Sequence, residues 1–170
     1  MADTLAADAA TRSTDTDALL SRLSAANLAY FPDPISPLLL SPSQRRQATP
    51  RPPLINIGTH ARTWSIDALV GQFLDSLGAD GEGDGAKGQV LSLGAGTDGR
   101  FWRMKEERER EEGKGWRCRK WVEVDFAEGT GAKARAVATK PRLKGALSGE
   151  AKIREPNRIS LRFQHRHSVS

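Results

Sequence analysis

The stretch KGQVLSLGAGTDGRFW, Lys87 to Trp102, places a short apolar run directly before a turn punctuated by glycines. Gly94, Gly96 and Gly99 have the spacing G-x-G-x-x-G, in which the first glycine lets the chain reverse and the second lets the backbone approach a ligand. A helix that begins near Thr97 would present free amide N–H groups and the positive end of its dipole to that ligand. The stretch therefore predicts a strand, a glycine turn and a helix.

A second strand candidate follows this helix. The segment WVEVDF, Trp121 to Phe126, alternates and ends near Asp125, where Rossmann-type folds place an acid that binds ribose hydroxyls. Asp125 lies 31 residues after Gly94, and the charged insert over residues 106–120 accounts for the excess over the usual spacing of about 20. Together these elements make one βαβ unit, the start of a doubly wound parallel sheet. A dinucleotide, S-adenosylmethionine or an empty structural turn all fit this pattern.

Apolar spacing predicts helices on either side of this unit. One runs from about Thr16 to Ala29, with Asp15 or Thr16 as its cap. Another begins at a Thr59 cap and ends before Gly78. Its apolar residues recur at steps of three and four and predict a broad core-facing side: Trp64, Ile66, Leu69, Val70, Phe73, Leu74 and Leu77. A third helix is expected over residues 128–140, and Pro141 ends it.

Composition narrows the class of protein. The 170 residues have the length of one domain, no apolar run is long enough for a transmembrane helix, and the N-terminus lacks the pattern of a secretion signal. A single cysteine, Cys118, favours a reducing compartment, and we expect a cytoplasmic protein without a membrane partner. Residues 133–166 hold ten Lys or Arg against two acids. Phe163 is their one aromatic residue, so nucleic-acid binding is the weaker alternative.

Three ordered segments carry a family resemblance. NIGTHARTWSIDALVGQFL (residues 56–74), VLSLGAGTDGRFWRM (90–104) and WVEVDF (121–126) together resemble the leucine carboxyl methyltransferases. The resemblance implies a Rossmann-like, class I methyltransferase fold of the α/β class, with S-adenosylmethionine as the cofactor. It also implies that the methyl acceptor is the C-terminal leucine carboxylate of the protein phosphatase 2A catalytic subunit.

The resemblance also assigns cofactor-binding residues. Arg62 would pair with the carboxylate of the cofactor's methionine moiety, Gly94 and Gly96 would allow close backbone approach, and Asp125 would accept from the ribose hydroxyls. Arg22 falls near a basic cofactor contact of the family. We expect no catalytic base, because a C-terminal carboxylate with a pKa of about 3.3 to 3.7 is already ionised, and no metal. Asp98 either belongs to the motif or caps the following helix.

The expected organisation follows the extent of the resemblance. Residues 1–13 are predicted to be a disordered tail, and residues 14–153 the N-terminal portion of the methyltransferase domain, with flexible loops over 41–53 and 79–88. Residues 154–170 are a basic tail without family character. The fold is therefore expected to be incomplete, N-terminal helices followed by the first βαβ unit, as in a C-terminally truncated member. A non-catalytic module that binds a nucleotide or a partner is the alternative function.

Overall fold

The computed structural model describes residues 2–77, 88–112, 115–147 and 161–164, with residues 2–12 and 161–164 given as backbone. Helices precede and connect the strands of a small sheet. The elements in chain order are α1 (Ala2–Asn27), α2 (Ser36–Leu39), α3 (Pro42–Gln47), α4 (Pro53–Ser76), β1 (Gly88–Leu93), α5 (Arg100–Arg110), β2 (Cys118–Val124), α6 (Ala127–Thr139), α7 (Pro141–Gly145) and β3 (Leu161–Gln164).

The sheet contains the predicted βαβ unit. β1 and β2 are parallel, with register from Gln89 opposite Lys120 to Leu93 opposite Val124, and α5 is the crossover between them. β3 lies antiparallel on the other edge of β2 and gives the order β1-β2-β3. The α/β class and the partial Rossmann-like fold are confirmed. Because the strands are parallel, the glycine turn after β1 and Asp125 after β2 lie at the same edge of the sheet.

An aromatic core holds α5 against the sheet. Phe101 and Trp102 of α5 are fully buried and meet edge to face at 5.3 Å between ring centroids. Trp121 of β2 lies 5.8 Å from the Phe101 ring, and the Trp102 indole N–H donates to the Leu143 carbonyl of α7 at 3.0 Å. Such pairs stabilise a core beyond the area that they bury. The core therefore fixes the start of α5, and with it the glycine turn.

Helix α4 presents a different face to the protein from the one predicted. It begins at Pro53, a favoured first helical residue, so Thr59 lies in its interior. The buried side of α4 carries Asn56, Thr59 and Thr63, whereas Trp64 is 66% exposed. The Asn56 carboxamide accepts from Ser24 Oγ at 2.9 Å and donates to the Arg51 carbonyl at 2.8 Å. The bond to Ser24 attaches the polar side of α4 to α1. The apolar residues that were predicted to face the core are, apart from Leu74, only partly buried or exposed.

The expected tails and loops also differ from the structure. α1 already begins at Ala2, within the predicted disordered tail, and α3 occupies part of the predicted loop over 41–53. Ser41 and Gln44 form a capping box that starts α3. The predicted loop over 79–88 falls outside the described residues except for Gly88, which begins β1. Within the predicted basic tail, residues 161–164 pair with β2, and the remaining residues lie outside the described ranges.

Across the described ranges, no helix combines the length and the apolar character needed to cross a bilayer.

Helix α1 ends on a residue in a left-handed conformation. Ala29 has φ 60°, which costs a residue with a Cβ atom about 1–2 kcal/mol. The Ala29 N–H donates to the Ala26 carbonyl at 3.0 Å, and the Tyr30 N–H donates to the Ala25 carbonyl at 2.9 Å. This pair of hydrogen bonds is the Schellman motif, in which glycine is the preferred residue.

We expect Ala29→Gly to raise the free energy of unfolding by about 1 kcal/mol, because glycine relieves the strain of the left-handed residue. Ala26→Gly, three positions earlier and inside α1, is the matched control and should lower the free energy of unfolding by about 0.5–1 kcal/mol. Urea denaturation of the three proteins measures both effects. Equal changes for the two variants would contradict the assignment of Ala29 as the left-handed cap.

Candidate functional site

A cavity of about 1310 Å³ opens at the carboxyl edge of β1 and β2. Its lining comes from α1, α4, α6 and the glycine turn, elements that lie far apart in the sequence. The cavity brings together all five residues that the sequence analysis assigned to cofactor binding: Arg22, Arg62, Gly94, Gly96 and Asp125. Crevices at this edge of a parallel sheet are where Rossmann-type folds bind their ligands.

The chain reverses at Gly94, as its sequence predicts, and Gly96 shares the left-handed backbone. Gly94 has φ 63° and Gly96 has φ 46°, a region in which residues with a Cβ atom are strained. At Gly99 the reason is packing, because an added Cβ would lie 2.6 Å from Cγ2 of the buried Ile35. The first two glycines therefore shape the turn, and the third admits α2 and its preceding loop beside α5.

The protein itself accepts the hydrogen bonds of this turn. Gly94 and Ala95 both donate to the Val124 carbonyl, at 2.8 and 3.3 Å, and the Asp98 N–H donates to the Ala95 carbonyl at 2.9 Å. The Gly96 N–H donates to Oδ2 of Asp125 at 2.5 Å. Together with the bond from Thr97 described next, these contacts occupy five consecutive amides. The predicted free amide donors are thus paired within the chain.

Asp15 is a site residue that the sequence analysis missed. Its Oδ1 accepts from the Thr97 backbone N–H and from Thr97 Oγ1, both at 2.8 Å. A Cβ atom on Gly96 would lie only 2.2 Å from the same oxygen. The missing side chain of Gly96 therefore makes room for a carboxylate of α1. The sequence had predicted that a ligand would approach the backbone at this position. Asp15 had been considered only as a helix cap, and no sequence spacing links it to a turn 82 residues away.

Asp125 lies at the predicted place after β2, and both of its carboxylate oxygens accept hydrogen bonds. Oδ1 accepts from the Phe126 N–H at 2.6 Å, while Oδ2 accepts from Gly96. The two bonds orient the half-buried carboxylate toward the cavity that Asp125 lines. Each carboxylate oxygen has a second lone pair. The group therefore retains the capacity to accept from ligand hydroxyls.

The two predicted arginines approach the cavity differently. Arg22 of α1 donates through Nη2 to the Thr97 carbonyl at 2.7 Å. Its Nε is buried and, among the described residues, has no hydrogen-bond partner. Arg62 of α4 is exposed, lines the cavity and has no partner within the described ranges. A buried donor without a partner is costly, and Arg22 carries this cost beside the cavity that it lines.

The N-cap of α5 is Gly99, so Asp98 does not occupy the predicted capping position, although its carboxylate contacts the first residue of the helix. Its Oδ1 accepts from the backbone N–H of Arg100, the first residue of α5, at 2.9 Å. The carboxylate also pairs with the Arg100 guanidinium and lies 4.0 Å from that of Arg22. Burial alone would raise the pKa of Asp98, but Arg100, Arg22 and Lys133 hold it below the ordinary value. Asp98 is therefore a structural anion beneath the turn.

A buried ion pair supports the turn from the interior. Lys133 of α6 donates to Oε2 of Glu123 at 2.5 Å and to the carbonyl oxygen of Asp98 at 2.6 Å. Its ammonium group also lies 5.4 Å from the centre of the Trp102 ring. Burial raises the pKa of Glu123, and the charge of Lys133 opposes that rise. Lys133 thus ties β2, the turn and α5 together.

Comparison with known proteins identifies related sequences. A family model described as leucine carboxyl methyltransferase matches residues 4–155. Leucine carboxyl methyltransferase 1 of Cryptococcus neoformans is 43% identical over 140 residues, which are 77% of this chain and 35% of that protein. The leucine carboxyl methyltransferase 1 homolog of Arabidopsis thaliana is 33% identical over 153 residues, 90% of this chain and 41% of that protein.

A relative with a different name shares the same region. The human tRNA wybutosine-synthesizing protein 4 is 33% identical over 147 residues, which are 86% of this chain and 19% of that protein. The chain spans about a third of the length of the leucine carboxyl methyltransferases that it matches.

We expect Lys133→Met to lower the free energy of unfolding at pH 7 by about 3 kcal/mol, because it leaves the Glu123 carboxylate buried without a partner. The pKa of Glu123 then rises further, so the folded chain holds a proton that the unfolded chain has lost. The loss of stability should therefore shrink as the pH falls from 7 toward 5. Urea denaturation at the two pH values measures this dependence.

The double variant Lys133→Met/Glu123→Leu separates charge from packing. It replaces the ion pair by apolar groups, so most of the stability should return and the pH dependence should disappear. A single variant whose destabilisation is the same at both pH values would show that loss of Lys133 leaves the protonation state of Glu123 in the folded protein unchanged, and would contradict this prediction.

Proposed function

The chain belongs to the leucine carboxyl methyltransferase family, and on that premise we propose that its cavity binds S-adenosylmethionine for methyl transfer to a C-terminal leucine carboxylate. The observation that carries this proposal is the convergence of Arg22, Arg62 and Asp125 on one cavity beside the glycine turn. The cavity lies at the edge of the sheet where this class of fold binds its cofactor.

The donors of the cavity fit the methionine end of the cofactor. Arg62 presents an exposed guanidinium, whose fork matches a carboxylate with two parallel hydrogen bonds. Arg22 adds a second positive charge and a buried Nε that lacks a partner in the described structure. Two guanidinium groups at one cavity favour a ligand that carries a carboxylate. We propose that Arg62 holds this carboxylate and that Arg22 assists it.

Other residues that line the cavity fit an adenosine group. Asp125 offers carboxylate lone pairs to ribose hydroxyls, and Gly94 keeps the adjacent backbone free of a side chain. Leu93 and Phe126 line the same cavity and are 72% and 42% exposed. Such apolar surface suits the flat face of an adenine ring. The donor and acceptor set thus supports S-adenosylmethionine as the ligand.

The proposed reaction does not require a side chain that acts as an acid or a base. When bound, the cofactor supplies an electrophilic methyl group on a sulfonium centre. The acceptor carboxylate is ionised at neutral pH, so no side chain has to remove a proton. The residues of the cavity act by holding and orienting the reactants and by excluding water, which are effects of proximity and desolvation. Arg62 and Asp125 would fix the two ends of the cofactor.

We propose the protein phosphatase 2A catalytic subunit as the source of the acceptor, and the cytoplasm as the compartment. The names of the fungal and plant relatives support a leucine carboxyl group, and the sequence resemblance supports this phosphatase. The relative named for wybutosine synthesis matches the same region. The experiment therefore has to distinguish a tRNA acceptor from the proposed protein acceptor.

Titration calorimetry of the purified chain with S-adenosylmethionine tests the cofactor. We expect saturable binding that Arg62→Ala weakens about tenfold or more, because a bidentate partner of the ligand carboxylate is lost. Arg46→Ala is the matched control, since Arg46 is exposed on α3 and does not line the cavity. Circular dichroism establishes that each variant is folded. A folded wild-type chain that gives no binding heat would overturn the cofactor proposal.

Transfer of a labelled methyl group tests the acceptor. A peptide with the C-terminal sequence of the phosphatase should be methylated, whereas the same peptide with an amidated terminus should not. Binding of the cofactor without transfer would make the chain a non-catalytic binding module. Transfer to tRNA with none to the peptide would contradict the proposed acceptor.

A further inference from the structure

The glycine turn lacks what a phosphate site needs. In phosphate-binding turns of this spacing, backbone N–H groups point at the anion and the start of the helix adds a positive dipole end. Here each N–H from Gly94 to Asp98 already donates to an acceptor of the protein. Two of these acceptors are carboxylates, Asp125 and Asp15. An incoming phosphate would find the donors occupied.

Asp15 also occupies space and carries charge at the turn. Its Oδ1 would lie 2.2 Å from a Cβ atom on Gly96, so the carboxylate covers the surface that the second glycine leaves open. Among the described residues, neither Asp15 nor Asp125 lies within ion-pair distance of a lysine or an arginine. Their negative charges are therefore available to repel an anion and to attract a cation.

The position of Asp15 is fixed by its own helix. Seven residues further along α1, Arg22 donates to the carbonyl of Thr97, the residue whose N–H and hydroxyl bind Asp15. One residue of the turn is thus held on both its amide and its carbonyl side by a single helix. Leu19 and Leu23, which lie between and beside them, are buried and anchor this part of α1. Asp15 is consequently a built part of the turn.

We propose that Asp15 is a specificity-determining residue that closes the glycine turn to phosphorylated nucleotides and leaves it to an adenosyl ligand without phosphate. This inference rests on the proposed cofactor site and deepens it, because it explains how a dinucleotide-like motif rejects a dinucleotide-like ligand. It also explains why the second position of the motif, Gly96, is a glycine: a side chain there would collide with the carboxylate of Asp15.

Calorimetric titration with ADP and with S-adenosylmethionine tests this role. The wild-type chain should bind ADP at least 100 times more weakly than S-adenosylmethionine. In Asp15→Ala, the Thr97 N–H and hydroxyl become free and a negative charge is removed, so we expect the affinity for ADP to rise at least tenfold relative to that for S-adenosylmethionine. Asp17→Ala is the matched control, because Asp17 is an exposed residue of α1 paired with Arg51, and should leave this ratio unchanged.

A second variant separates the hydrogen bonds from the charge. Asp15→Asn keeps an oxygen acceptor for the Thr97 N–H but carries no charge, so the affinity for ADP should rise about threefold. It also replaces Asp15→Ala if thermal unfolding shows that the alanine variant does not fold. No gain in ADP affinity in Asp15→Asn would then overturn the proposal.

The remaining outcomes distinguish this inference from the proposed function. Equal weakening of both ligands in Asp15→Ala would make Asp15 merely structural and overturn the inference. The inference would also be overturned if the wild-type chain bound ADP as tightly as Asp15→Ala does, or if neither protein bound ADP. In both cases, binding of S-adenosylmethionine to the wild-type chain would leave the proposed function standing. A wild-type chain that binds neither ligand, together with a variant that gains ADP, would support the inference and end the cofactor proposal.

Discussion

The side chain of Lys133 extends from α6 into the interior, where its ammonium group meets Glu123 of β2, the carbonyl of Asp98 and the ring of Trp102. A buried charge is tolerated only when it is paired and hydrogen-bonded. Each of these contacts comes from a different element, so a shift of any one of them would cost the ammonium one of its partners. The geometry of the glycine turn therefore depends in part on this buried cation.

The turn is held from the cavity side as well. Asp15 and Asp125 accept from its central amides, and Arg22 binds the carbonyl of Thr97. With Lys133 below, this arrangement fixes the backbone from both faces before any ligand arrives. A site built in this way does not have to reorganise on binding, which is the physical basis of preorganisation.

The sequence predicted the features that depend on neighbouring residues. The βαβ unit, the chain reversal at Gly94 and the position of Asp125 follow from local pattern, and the structure contains each of them. The structure places Arg22 and Arg62 at the same cavity, although only the family resemblance, and no local pattern, had suggested their roles.

Other features depend on contacts between distant segments, and no local pattern reveals them. The periodicity of α4 wrongly predicted that its apolar residues face the core, because it cannot say that α1 will bind the opposite, polar residues through Asn56. Asp15 lies in the interior of α1 and not at the predicted helix start, and its contact with Thr97 appears only when α1 folds across the turn. Because an acid beside Thr16 is typical of a helix start, the sequence suggested a cap and gave no sign of the contact with Thr97.

The charges around the cavity determine which ligands these contacts favour. Guanidinium groups of Arg22 and Arg62 and carboxylates of Asp15 and Asp125 line the same space. A polyanion such as a diphosphate would gain from the first pair and lose against the second. The methionine moiety of S-adenosylmethionine carries a carboxylate, an ammonium group and a sulfonium centre, so each sign of charge can find its opposite. Because complementary charges govern specificity more than raw affinity, a turn with carboxylates on its amides would, on our proposal, favour a ligand of mixed charge over the phosphorylated ligands that share an adenosine.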